Sequence, residues 1–117
     1  MPERLAELSE EDVKLLTLAR GARARISAAE GAAVRDETGR TYASAAVSLP
    51  SLELTALQVC IAQAVAAGAR GLEAAVIVRD QANTGQVDLD AVRDLGGVGI
   101  PIVIANAVTD EISRAST

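Results

Sequence analysis

Residues 72–105 read LEAAVIVRDQANTGQVDLDAVRDLGGVGIPIVIA. Two apolar runs, 72–78 and 100–105, stand at its ends. Runs of this kind are the signature of strands covered on both faces. Between them lies a short helical pattern at 89–95, opened by Asp88 and closed by Gly96, Gly97 and Gly99. Strand, helix and strand within this distance predict a parallel crossover. The polar residues 79–86 read as a flexible connection.

Upstream, residues 52–67 predict a helix. Leu54, Ala56, Leu57, Val59, Cys60, Ile61, Ala64 and Val65 surround it, and only Glu53, Thr55, Gln58 and Gln63 are polar. A helix that is apolar all round is buried on more than one side. One small sheet leaves a face uncovered, so the expectation is a second copy of the chain against residues 52–67. Gly68 ends this helix.

Before it, residues 32–35 and 40–47 read as two strands joined by the turn Asp36-Glu37-Thr38-Gly39. Pro50 and Ser51 separate this hairpin from the helix. At the front, Ser9 is placed as an N-cap, and Val13, Leu16, Ala19, Ala22 and Ile26 recur at helical spacing. Glu30-Gly31 closes that helix. From Asn106 onward the chain reads as a last short helix or a loose tail. The expectation is one α/β domain over residues 1–117, a mixed β-sheet of an antiparallel hairpin plus parallel crossover strands, packed by helices.

Composition narrows the function. The chain has no histidine, one cysteine, one aromatic residue (Tyr42) and a net charge of -5. An acidic chain lacks the basic face that nucleic acid demands, and the cluster Arg20, Arg23 and Arg25 reads as a solvated helix face. No apolar run approaches the roughly 20 residues that cross a bilayer. Cys60 has no partner for an internal disulfide and reads as a buried filler. Met1-Pro2-Glu3-Arg4 is unlike a secretory signal, and together these features predict a cytoplasmic protein.

The order of elements resembles that of the cytidine deaminases. Gly31-Ala32-Ala33-Val34 is similar to their first strand, and Thr38-Gly39-Arg40-Thr41-Tyr42 to their hairpin turn and second strand. Ala64-Val65-Ala66-Ala67-Gly68 resembles the end of their metal-bearing helix, and Leu89-Asp90-Ala91-Val92-Arg93 the frame of their Cys-x-x-Cys-Arg segment. The resemblance implies a zinc ion held by one His or Cys and two further Cys, with a non-ligand Glu as proton shuttle. Those positions fall on Ala56 for the first ligand, Leu89 and Val92 for the two thiolates, and Gln58 for the shuttle. Hydrocarbon side chains offer zinc no lone pair, and an amide does not exchange protons in the working range. The family's Asn-x-Glu ribose clamp falls in Ala45-Ala46-Val47-Ser48, which carries neither group.

The expectation is therefore no catalytic residue, no metal and no cofactor, with hydrocarbon packing in place of the zinc. Function is then non-catalytic: a self-associating scaffold or partner-binding module, a dimer or tetramer through residues 52–67. The alternative is a nucleoside- or nucleotide-sensing protein that keeps a binding cleft, with Gln58 and Arg93 as candidate ligand-binding residues. Other motifs carry less. Gly97-x-Gly99 precedes a strand, the wrong context for a dinucleotide loop. Asp88 and Asp90 suit helix capping. Glu30, Glu53 and Glu73 are scattered, and no base stands ready to activate a serine or threonine.

Overall fold

In the computed structural model, residues 3–4, 7–80, 86–109 and 111–117 are described. A short strand β1, Glu3–Arg4, precedes helix α1, Glu10–Arg25. Ser9 caps α1, its hydroxyl accepting from the Asp12 N–H at 3.2 Å. Glu10, Glu11 and Asp12 occupy the first turn and Arg23 and Arg25 the last, which suits the helix dipole. Leu15, Leu16, Ala19 and Ala22 form the buried face. Val13 and Ile26, expected on that face, are 40% and 63% exposed. Leu15 takes the inward position instead, because the helix ends at Arg25 and its stripe runs between Leu15 and Ala22. Ser27 follows in a left-handed conformation (φ 51°). The N–H of Ala28 then reaches the Arg23 carbonyl at 3.0 Å and that of Ser27 the Ala24 carbonyl at 3.2 Å. This pair of bonds is a Schellman stop, so the chain leaves the helix several residues before Gly31.

Strands β2, Glu30–Asp36, and β3, Thr41–Ala45, form the expected hairpin. Its turn is held from inside. The fully buried Asp36 carboxylate accepts from Thr38 N–H at 2.9 Å, Thr38 hydroxyl at 2.7 Å, Arg40 N–H at 3.0 Å and Tyr42 hydroxyl at 2.9 Å. Burial alone would raise this carboxyl; the hydrogen bonds, Thr38's foremost, outweigh it and hold the group well below the usual carboxylate range. Glu37 points the other way and accepts from the backbone of Arg70 and Gly71, at 3.0 and 2.6 Å. The Arg70 bond leads in lowering the Glu37 carboxyl as well.

The chain next makes a two-stranded sheet of its own, β4, Val47–Leu49, with β5, Leu52–Leu54. Pro50 and Ser51 are its turn. Helix α2 spans Ala56–Ala66, so the helix expected at 52–67 begins four residues later. The reason is local. Thr55 and Gln58 make a capping box: Gln58 N–H donates to Thr55 Oγ1 at 3.1 Å, and Thr55 N–H donates to Gln58 Oε1 at 2.9 Å. A threonine that caps stops the helix from extending backward. At the far end Gly68, with φ 96°, permits the return of the Ala69 N–H to the Ala64 carbonyl at 2.9 Å.

Strand β6, Leu72–Arg79, helix α3, Asp90–Gly96, and strand β7, Pro101–Asn106, complete the crossover. β6 and β7 are parallel, as the opening stretch predicts. Asp88 is not the cap of α3; that position is Leu89, and the Asp88 carboxylate accepts the Asp90 N–H at 2.9 Å. The flexible connection expected at 79–86 falls largely on residues 81–85, outside the described residues. The tail forms strand β8, Glu111–Ser116, antiparallel to β7, rather than a helix or loose end. Ile112 is its buried anchor.

The main sheet runs β1-β8-β7-β6-β2-β3. Its faces carry separate cores. Leu15, Leu16 and Ala19 of α1 cover Ala33, Ala74, Val76, Val78 and Val103. On the other face α2 and α3 bury Ala56, Leu57, Cys60, Ile61 and Val92 against Ala32, Val34, Ala75, Ile77 and Ile102. The domain is thus three-layered, and its mixed sheet is of the kind expected. Arg35 ties α1 to the sheet through Glu73 at 2.9 Å and Asp12 at 3.9 Å.

Candidate functional site

The positions that the resemblance assigns to zinc and the proton shuttle lie at the start of α2 and around α3. Ala56, the first residue of α2, is fully buried. So is Val92, midway along α3. Both belong to one apolar cluster, and Leu89 packs against it from the end of the crossover connection. The side chains that meet here are methyl, isobutyl and isopropyl groups. No lone pair reaches the space between α2 and α3 from any of the three.

Cys60 lies one turn further along α2, also fully buried. Its thiol donates to the Ala32 carbonyl at 3.4 Å. Burial pushes this thiol up to about 12, so the sulfur stays protonated at neutral pH and is a poor metal ligand. Among the described residues, no group of three or more Cys, Asp or Glu side chains is placed to hold a metal ion, and the chain has no histidine. The side chains of Ala56, Leu89 and Val92 do not fit a zinc ion.

Gln58 and Arg93 are drawn apart. Gln58 spends its amide oxygen on the capping box and borders a surface groove with Glu53 and Leu54. Arg93 donates to Asp90 at 3.1 Å, one turn back on α3, and faces a recess by Ala115 and Ser116. They share neither of these recesses.

A different pair of charges shares one of its own. Glu30 begins β2 directly opposite Arg79 at the end of β6. Both border a cavity of about 250 Å³. Thr55 and Leu57 of the α2 start form another side, and Val87 and Asp88 close it from the connection to α3. The Glu30 carboxylate reaches across to accept the Ala56 N–H at 3.1 Å, satisfying one of the free donors that open every helix. The sequence does not reveal this pair, because it arises from strand register between residues 49 positions apart.

These features have relatives. A family model described as cytidine deaminase-like matches residues 8–109. The chain belongs to the cytidine deaminase-like family. Among solved structures it is similar to the cytidine deaminase from Burkholderia pseudomallei, with 22% identity, 93% of each chain covered and a TM-score of 0.74. It is also similar to the cytidine deaminase from Mycobacterium leprae, with 21% identity, 92% of this chain and 94% of that one covered, and a TM-score of 0.65. At these identities the likeness is one of fold. No curated protein matches the chain. Among the described residues no helix is long and apolar enough to cross a membrane.

Proposed function

We propose that this chain is a catalytically inactive member of its family, a cytoplasmic self-associating scaffold or partner-binding module. One observation carries the reading: Ala56 and Val92, at two of the positions the resemblance gives to zinc ligands, are fully buried in hydrocarbon against which Leu89, at the third, packs. Gln58, at the shuttle position, is engaged in capping its own helix. Neither a bound cation nor a proton relay has side-chain support there. The test supplies zinc and cytidine to the purified protein and measures ammonia release and bound metal. Turnover with stoichiometric zinc overturns the reading.

Self-association draws support from apolar exposure. Val65 on α2 is 53% exposed, and Leu49 and Leu52 on the neighbouring small hairpin are 56% and 47% exposed. Leu49 and Leu52 pair directly across that hairpin, and exposed apolar side chains that adjoin favour association. We expect a solution mass of a dimer or tetramer, and Val65→Glu to shift it toward the monomer. A wild-type monomer at micromolar concentration overturns the scaffold reading.

The second reading is a non-catalytic nucleoside- or nucleotide-sensing protein. The cavity of about 250 Å³ beside the α2 start favours it, since a polar-lined hollow next to an apolar wall suits a small ligand.

A further inference from the structure

Ile77 and Arg79 stand two residues apart on β6 and so project from the sheet face that α2 covers. Glu30 joins them there, opposite Arg79 in the antiparallel register. The result is a hollow with an apolar wall of Leu57, Ile77 and Val87 and with one acid and one base side by side.

We propose that this hollow binds a small aliphatic zwitterion, a neutral or basic α-amino acid. Its ammonium group lies on Glu30, its carboxylate on Arg79, and its side chain on Leu57, Ile77 and Val87. The proposal rests on the reading that the chain keeps a ligand cleft, and it replaces the nucleoside by another class of ligand.

Four observations lead to this class. Glu30 and Arg79 are directly paired across antiparallel strands and line the same hollow, so one small ligand can meet an acid and a base there. The Glu30 carboxylate is already fixed, since Oε1 accepts the Ala56 N–H, while no hydrogen bond to Oε2 occurs among the described residues. A carboxylate held in place before binding loses little freedom when a ligand arrives. The volume, about 250 Å³, is below the 300–1,000 Å³ typical of sites for larger organic ligands. Finally, no aromatic ring borders the hollow, and the chain's single tyrosine is bonded to Asp36 in the hairpin. Nucleobases are commonly held by stacking on aromatic faces. Asp88 at the rim adds a second negative charge to the lining, which disfavours an acidic amino acid.

The test titrates the full ¹⁵N-labelled chain with L-leucine, L-arginine, L-glutamate and cytidine, following the amides of Thr55, Leu57, Arg79 and Val87. Saturable shifts are expected with leucine or arginine and not with glutamate. N-acetylleucine and leucinamide, each lacking one charge, are expected to bind wild-type protein at least about tenfold more weakly. Glu30→Gln and Arg79→Gln, each with its melting temperature checked, are expected to weaken binding by a similar factor. Saturation by cytidine alone overturns the ligand class and keeps the cleft; saturation by none of the four overturns both. Unchanged affinity for the two blocked leucines overturns the charge pairing.

Discussion

A methyl group added at Gly31 would lie 2.8 Å from Arg23 Cβ and 2.9 Å from Arg23 N, and against the Ala19 carbonyl oxygen. These are atoms of the α1 body, so the helix itself must retreat from β2. Gly31→Ala is expected to cost about 1–3 kcal/mol, as overpacking does. Gly21, on the exposed side of the same helix, has nothing within 4 Å of the added atom. Gly21→Ala is expected to stabilise by roughly 0.5–1 kcal/mol, because glycine is a poor helix former. Urea unfolding midpoints should therefore move in opposite directions; a shared direction denies the close contact of helix and strand. Asp36 belongs to the same scale. Its carboxyl titrates lower when folded than when unfolded, so its contribution is present above the ordinary carboxyl value of about 4 and is lost as pH falls from there toward the folded value. Glu37 acts with the same sign. The wild-type midpoint should fall as pH is lowered from about 5 to 3, and Asp36→Asn should start lower and fall less steeply.

At the scale of elements, α2 shows how a residue at the position the resemblance gives to a proton shuttle, Gln58, serves structure by capping its own helix with Thr55. Thr55→Ala removes half of the capping box and should destabilise by about 0.5–2 kcal/mol. Gln58→Glu keeps the box, since either side chain can accept the Thr55 N–H, and adds a negative charge at the helix start. That variant is expected to fold with a midpoint equal to or above wild type and to release no ammonia from cytidine, read by circular dichroism and an ammonia assay. The elements whose patterns are long were legible: the stretch 72–105 gave the parallel crossover, and the Asp36–Gly39 turn gave the hairpin. Shorter pieces were not. Leu52–Leu54 alternates over too few residues to be told from helix, and only the Thr55 cap decides. β8 carries a single fully inward apolar residue, Ile112, and gains its strand from pairing with β7 rather than from its own pattern. At the candidate site, the apolar side chains at 56, 89 and 92 were readable one by one. The Glu30–Arg79 juxtaposition was not, because register is a property of two strands.

For the molecule as a whole, two cores on opposite faces of one sheet are built from small side chains. Alanine occupies many of the most deeply buried positions, including Ala19, Ala32, Ala33, Ala56 and Ala64. Each such residue removes little area from water, so cohesion depends on close approach of backbones across the sheet. Cys60 offers a direct measure of that closure. Its thiol, buried and pushed up to about 12, is expected to resist aromatic disulfide reagents at pH 8 in the native protein. Labelling should rise in urea along the global unfolding curve. Rapid reaction without denaturant would mean that α2 is not seated as described.

The hydrogen bond between Tyr42 and Asp36 has a practical corollary. With no tryptophan or phenylalanine, the chain is almost dark in the near ultraviolet, and what little light it emits comes from one phenol at a hairpin. Fluorescence thus watches the β2–β3 turn and the thiol watches α2, from two sides of the same core. The two reporters ask whether the hairpin and the helix above it melt together, and coincident curves would define them as one cooperative unit.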